Sequence, residues 1–205
     1  MACPPPAAPL PAPERSRLDV AMSRYAEGDD TAFAELFSGL SPRLHGFLRR
    51  LGCSTDLAED LTQETLLKMH QARGTFAREK SVIPWAYAIA RNCYMSYARS
   101  PKVRLAKRSV GDDAVQQLEG REGTAEETSI ARQTAAVVQR ALARMTDVRR
   151  EAFILLRYEG LSVSAAAQVV GVTETALKVR AFHAYETIRT ALRELEADSI
   201  PGGSR

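Results

Sequence analysis

Acidic and amide side chains recur at helical spacing in the segment between Leu57 and Arg73. They stand at positions i, i+3, i+4, i+7 and i+11, so an α-helix would place them on one face: Asp60, Gln63, Glu64, Leu67 and Gln71. Carboxylates around one exposed leucine suit a basic helical partner that offers a central apolar contact. A solvated helix surface is the commoner reason for such a charge pattern, so the docking interpretation needs support from the rest of the chain.

The same carboxylates could instead bind a metal ion or form an acid–base pair, because Asp56, Glu59, Asp60 and Glu64 lie close together. No histidine stands near them at ligand spacing, and an exposed helix offers nothing that would shift a carboxyl pKa toward catalytic use. We therefore expect no enzyme activity, no metal and no cofactor. The histidines also lie far apart in the sequence, which argues against a metal triad: His45, His70 and His183.

Aromatic and basic side chains alternate in the segment that follows, between Phe76 and Arg99. Flat rings stack on unstacked bases, arginines contact phosphates, and an amide can read a base edge. The residues that supply these groups are Trp85, Tyr87, Arg91, Asn92, Tyr94, Tyr97 and Arg99. Each aromatic side chain could equally belong to the core of the domain, so the segment leaves both interpretations open.

A helix-turn-helix is predicted between Gly160 and Arg180. Ser162 can cap a first helix, Gly171 permits a tight turn, and Thr173 can cap a second helix. With the second helix in a DNA major groove, its outward side chains would approach base edges or phosphates: Thr173, Glu174, Thr175, Lys178, Arg180 and His183. An ordinary helical hairpin is the alternative.

Composition indicates how many domains must position these segments. The chain has 205 residues, of which 45% are apolar, and its abundant Ala, Leu, Arg and Glu favour helices. We predict an all-α protein with two small helical domains at 18–100 and 129–197. A flexible linker at 101–128 joins them, and disordered tails flank them at 1–17 and 198–205. The net charge of +3 permits nucleic-acid binding without requiring it.

Local signals predict where the helices begin and end. Asp29 offers an N-cap, Pro42 can occupy the first turn of a new helix, and Pro84 can do the same before Trp85. Ser54 or Thr55 should cap the helix that carries the acidic side chains.

The sequence also indicates a cellular compartment. No apolar run is long enough to span a membrane, and the first residues lack the order of a secretion signal. We expect a cytoplasmic protein without membrane insertion. Cys3, Cys53 and Cys93 form no Cys-x-x-Cys pair, so neither a disulfide framework nor a zinc site is predicted.

Three sequence strings together resemble the extracytoplasmic-function sigma factors of bacterial RNA polymerase. They are Asp60-Leu-x-Gln-Glu64, the run from Trp85 to Asn92, and Gly160-Leu-Ser162 with Lys178-x-Arg180. The resemblance implies a subunit that binds core RNA polymerase, directs promoter recognition and transcription initiation, and catalyses no reaction itself. A cognate anti-sigma factor is a further partner that it implies.

The same resemblance assigns roles to particular residues. The polymerase would contact Asp60, Gln63, Glu64, Leu67 and Gln71. The promoter −10 element would be melted and read by Arg78, Lys80, Trp85, Arg91, Asn92 and Ser96. The −35 element would be read by Thr173, Glu174, Thr175, Lys178, Arg180 and His183.

The sequence departs from the family pattern at three places, two of which concern −10 specificity. Ala86 replaces the usual leucine after the tryptophan, and Ser96 stands where Asp or Asn is common, so the preferred −10 sequence does not transfer. Ala165-Ala-Ala167 replaces a common Glu-Ile-Ala before the turn. The alternative function is a transcriptional regulator with a LuxR-like helix-turn-helix and a helical sensor or dimerisation domain, which would bind DNA without polymerase.

Overall fold

The computed structural model describes residues 12–100 and 125–199, which form helices and turns without a β-strand in those ranges. The first range contains α1 (Ala12–Ala26), α2 (Phe33–Arg50), α3 (Thr55–Ala72) and α4 (Val82–Arg99). The second contains α5 (Ala125–Arg144), α6 (Asp147–Phe153), α7 (Val163–Val170) and α8 (Glu174–Ser199). The predicted all-α class is confirmed. Within these ranges, no helix has both the length and the apolar character needed to cross a bilayer.

An apolar stripe on α2 forms the centre of the first domain. Its side chains follow one another at helical spacing and are all buried: Leu36, Leu40, Leu44, Phe47 and Leu48. The other three helices of the domain pack against α2, and the ring of Phe47 meets that of Tyr87 edge-on at 5.1 Å. Burial of this stripe removes apolar surface from water and stabilises the domain.

Pro42 corrects one predicted boundary. Instead of starting a new helix, it lies inside the continuous helix α2. A proline in a helix interior removes one backbone hydrogen bond, but the buried leucines on both sides of Pro42 share one stripe. Tertiary packing therefore outweighs the local cost, and the proline ring is exposed on the opposite face.

Side-chain caps position the helices around the later site. Asp29 accepts a hydrogen bond from the Thr31 amide at 3.0 Å, which caps the short 3-10 turn Asp30–Ala32. Ser54 caps α3 by accepting from the amide of Leu57 at 3.3 Å. These two predicted caps are confirmed.

Helix α4 is capped in a way that the local sequence did not indicate. Asp19 of α1 accepts from the Val82 amide at 2.7 Å and from the Ser81 hydroxyl at 3.1 Å. The carboxylate thus satisfies a free donor at the start of α4 and ties the two helices together.

The ends of the two domains differ from the predicted boundaries. Helix α1 begins at Ala12, within the predicted tail. Pro13 is tolerated in a first helical turn, and the helix continues into the buried residues Leu18 and Met22. Helix α5 begins within the predicted linker, and α8 reaches Ser199. The rest of the predicted linker and tails, including Cys3, lies outside the described residues.

The second domain packs α5 and α6 against α8. Phe153 lies at the centre of this contact, where its ring meets Tyr158 at 5.8 Å and Tyr185 at 5.1 Å, both edge-on. A π-helical turn, Ile154–Tyr158, continues α6 and buries both Ile154 and Leu155. It leads to Gly160 and the start of the helix-turn-helix.

The two domains are in contact. Helix α4 packs along α7, and one apolar cluster runs from Leu18 in the first domain to Leu177 and Ala181 in the second. Buried Glu151 and Glu159 of the second domain form ion pairs with arginines of the first. Sequence analysis did not predict this packing.

Candidate functional site

The five predicted docking side chains form one exposed strip on α3, here called the acidic face: Asp60, Gln63, Glu64, Leu67 and Gln71. The opposite side of α3 is buried through Ala58, Leu61, Thr65 and Met69, so the helix is fixed in rotation. Leu67 is 56% exposed, an unusual position for a large apolar side chain on a rigid helix. Lys68 pairs with Glu64 at 2.7 Å along the rim.

An apolar groove adjoins the acidic face. Its volume is about 460 Å³, and it is lined mainly by Tyr25, Phe33, Phe37, Leu66 and Leu67. The rings of Phe33 and Phe37 lie 6.3 Å apart, and Phe37 is 49% exposed. Sequence analysis missed these two phenylalanines, although their spacing of four residues on an amphipathic helix is a signal for a shared face.

The loop before α4 carries the first residues of the predicted −10 set. Trp85 stacks at a tilt on Phe76, with 5.1 Å between ring centroids, and remains partly accessible. Arg78 pairs with Glu27 at 2.7 Å, and Lys80 is exposed beside it. The structure therefore brings a ring and two cations to one end of α4.

The remaining −10 candidates separate along α4. Asn92 and Ser96 are exposed. The side chain of Arg91 is only 19% exposed, because its Nε donates to the buried Glu151 carboxylate at 2.5 Å. Tyr87 is fully buried, so for this ring the core interpretation is confirmed.

Burial raises the pKa of both interdomain carboxyl groups. At Glu151 the desolvation is opposed chiefly by Arg91, with a smaller contribution from Arg180. At Glu159 it is opposed by Arg50 and by the Tyr87 hydroxyl. At both buried positions, a neighbouring arginine therefore stabilises the ionised form of the carboxyl group against the cost of desolvation.

The predicted helix-turn-helix forms with the expected turn chemistry. Ser162 accepts from the Ala165 amide at 3.1 Å, and Thr173 accepts from the Ala176 amide at 3.2 Å. Gly171 ends α7 in the left-handed region with φ 75° and ψ 42°. Leu177 is fully buried between the helices. Helix α8 is therefore held as a recognition helix would be.

Most predicted −35 residues lie on the outside of α8. Five of them are exposed, and Arg180 is half-buried; the exposed five are Thr173, Glu174, Thr175, Lys178 and His183. Sequence analysis missed Val179 and Phe182, which are 52% and 61% exposed. The Phe182 ring lies 5.7 Å from that of His183, which extends the exposed surface of the helix.

A groove of about 650 Å³ lies between α5 and α8, and the carboxylates of Glu186 and Glu194 form part of its lining. Three arginines that sequence analysis did not single out line it together with His183: Arg140, Arg144 and Arg149. Arginines next to a recognition helix suit phosphate contacts that fix its orientation. The spacing of four between Arg140 and Arg144 was the available signal.

Comparison with known proteins identifies the family. The family model for Sigma-70 region 2 matches residues 36–114, and that for Sigma-70, region 4 matches residues 135–188. The RNA polymerase sigma factor CarQ of Myxococcus xanthus is 32% identical over 86% of this chain and 98% of its own length. This chain belongs to the extracytoplasmic-function sigma factors. The sigma factor SigF of Caulobacter vibrioides is 30% identical over 88% of this sigma factor and 97% of SigF.

Solved structures of other sigma factors have the same fold. RpoE of Bartonella quintana, in complex with the anti-sigma factor NepR, superposes with a TM-score of 0.66 at 25% identity over 78% of this chain and 96% of that one. CnrH, in complex with the cytosolic domain of CnrY, superposes with a TM-score of 0.63 at 21% identity. The match covers 89% of this chain and 99% of the CnrH chain. The resemblance to sigma factors is confirmed, and the LuxR-like regulator is not favoured. Sigma factors initiate transcription and are not themselves enzymes.

Proposed function

We propose that this sigma factor docks on core RNA polymerase through the acidic face of α3. The observation that carries the proposal is the exposure of all five predicted docking side chains on a helix whose other side is buried. Exposed Leu67 and the groove beside it offer the apolar centre that an acidic rim alone would lack. A basic partner helix with a central apolar side chain would complement this surface in charge and in apolar contact.

For the promoter −10 element, we propose a surface at the start of α4. Trp85 supplies a ring for stacking on an unpaired base, and Arg78 and Lys80 supply cations for the strand. Asn92 and Ser96 are accessible for base edges. Arg91 belongs to this set only after it leaves Glu151.

Helix α8 is proposed to read the −35 element. Thr173, Glu174, Thr175 and Lys178 occupy the exposed N-terminal end that enters a major groove in helix-turn-helix proteins. His183 and half-buried Arg180 lie further along the helix, suited to phosphates or bases. Arginines of the groove between α5 and α8 would bind the phosphates of the DNA backbone. They would thus extend the predicted set of −35 residues.

Regulation and location follow from the same family membership. We infer that an anti-sigma factor binds this chain, as NepR binds its relative RpoE, and that the chain acts in the cytoplasm, where bacterial polymerase works. We also infer that it catalyses no reaction of its own. The α3 carboxylates are exposed, without the burial that usually tunes a catalytic group.

The docking proposal is tested by reversing charge on the acidic face. Asp60→Lys should weaken binding to core polymerase, and Asp60→Lys/Glu64→Lys should weaken it further, because both place cations opposite a basic partner. Glu59→Lys is the matched control, since this neighbour is exposed but lies about 100° around the helix axis from Asp60. Equal binding of the double variant and the wild type would refute the docking assignment. Circular dichroism would verify that all variants stay folded.

A further inference from the structure

Two buried carboxylates cross the contact between the domains. Glu159 is 5% exposed; it accepts from Arg50 Nη1 at 2.7 Å and from the hydroxyl of Tyr87. Arg50 also covers the ring of Tyr158 at 5.0 Å. Arg50 and Tyr87 belong to the first domain, while Tyr158 and Glu159 belong to the second. The contact is therefore specific in its polar groups as well as apolar.

Glu151 is the second carboxylate that contacts the first domain, and it is 6% exposed. It pairs with Arg91 of the proposed −10 set at 2.5 Å. Arg180 of the proposed −35 set also interacts favourably with this carboxylate. The Glu151 carboxylate thus interacts with one arginine from each proposed promoter-reading surface. In the proposed DNA complexes, these arginines would interact with DNA phosphates instead.

The first helix of the helix-turn-helix covers the start of α4. A cavity of about 490 Å³ separates them, with Phe76, Lys80 and Trp85 on one side and Ser164 and Gln168 on the other. Helix α7 therefore stands over the ring that a flipped base would stack on, whereas the outer residues at the start of α8 remain exposed. The contact between the domains thus partly covers Trp85 and Arg91, whereas the other members of the −10 set remain exposed: Arg78, Lys80, Asn92 and Ser96.

We propose that the free sigma factor is held in a closed form in which its second domain covers Trp85 and pairs with Arg91, two members of the −10 set. The shared apolar cluster drives closure, and the Arg50–Glu159 and Arg91–Glu151 pairs fix its register, since buried pairs contribute specificity more than stability. DNA binding through α4 requires opening, so its apparent affinity is reduced by the fraction of open molecules. The role of the covered residues in DNA binding rests on the proposed function. The closed form itself does not depend on that function.

Arg50→Glu tests the closed form in the full-length chain. It places a carboxylate against Glu159 but leaves every proposed −10 residue in place. The radius of gyration from small-angle X-ray scattering should increase by about 5 Å, as expected when two packed domains separate. Arg49→Glu is the matched control, because the neighbouring Arg49 donates to the Cys53 carbonyl within the first domain. Its radius should equal that of the wild type.

A reciprocal swap guards against simple misfolding. Arg50→Glu/Glu159→Arg restores opposite charges across the contact and should return the radius to the wild-type value. An unchanged radius in folded Arg50→Glu overturns the proposal. The proposal is also overturned if Arg50→Glu expands the chain and the double swap Arg50→Glu/Glu159→Arg does not bring the radius back.

A binding measurement separates this proposal from the proposed function. The probe is a fluorescein-labelled oligothymidine of about twelve nucleotides, since base stacking tolerates any sequence. Opening by Arg50→Glu should tighten binding about tenfold or more, and adding Trp85→Ala should cancel the gain. Expansion without tighter binding would uphold the closed form and refute the −10 assignment. Tighter binding without expansion would overturn the closed form.

Discussion

Gly171 offers a clean test of the turn that orients the recognition helix. Its φ of 75° lies in the left-handed region, and a Cβ added there would meet nothing within 4 Å. The cost of Gly171→Ala is therefore conformational and not steric. A left-handed conformation costs a residue with a side chain about 1–2 kcal/mol, while the lost freedom of the unfolded chain returns about 0.4–1 kcal/mol. The expected net loss of unfolding free energy is about 1 kcal/mol.

Gly74→Ala is the matched control. A Cβ at Gly74 also meets nothing within 4 Å, and this glycine does not have a positive φ. Only the entropic gain applies, so the control should be stabilised by about 0.4–1 kcal/mol. Urea unfolding followed by circular dichroism measures both variants, and their free energies should differ by about 1–2 kcal/mol. Equal stabilities would refute the left-handed turn and, with it, the geometry assigned to α8.

Two further predictions concern the proposed binding surfaces, and a third concerns the buried carboxylates between the domains. Replacing exposed Lys178 with alanine should cost about 1–3 kcal/mol in promoter binding and relax the preference at one base pair if it reads a base edge; a footprint over the −35 region identical to wild type would contradict the recognition helix. Phe37→Ala should weaken polymerase binding but change stability by only about 0.5 kcal/mol, because the ring is half exposed; pull-down and thermal melting measure the two effects. A carboxyl with a raised folded pKa contributes stability that is present below its unfolded pKa and lost as pH rises through the folded one. Because burial raises the pKa of Glu151 and Glu159 above the ordinary 4.5, wild type should gain stability over Glu151→Gln/Glu159→Gln as pH falls from about 7 to about 5; a difference that is constant with pH would contradict this.

Local chemistry could be predicted from the sequence wherever a residue acts on its near neighbours. The caps at Ser54, Ser162 and Thr173 and the left-handed Gly171 each depend on groups within a few residues. The rotation of α3 also follows from local periodicity, which is why the acidic face could be assigned without the structure.

Contacts between distant segments could not be predicted in this way. Asp19 caps a helix that begins 63 residues later, and Arg91 pairs with a glutamate 60 residues away. Pro42 was misjudged for a similar reason, because the buried stripe that keeps α2 continuous acts through tertiary packing. Arg91 shows the consequence: its type and position fit a DNA-binding residue, but only the fold shows that a carboxylate occupies it first.

The proposed function of this chain is promoter-specific initiation, with its acidic face docked on core polymerase. The most direct measurement is in vitro transcription of fragmented genomic DNA from the source organism, with transcript 5′ ends mapped by sequencing. Core polymerase with the wild-type chain should produce a defined set of start sites that core polymerase alone does not. Asp60→Lys/Glu64→Lys should lose these starts while Glu59→Lys keeps them. Absence of new start sites with the wild-type chain, or their full retention in the double variant, would contradict the account.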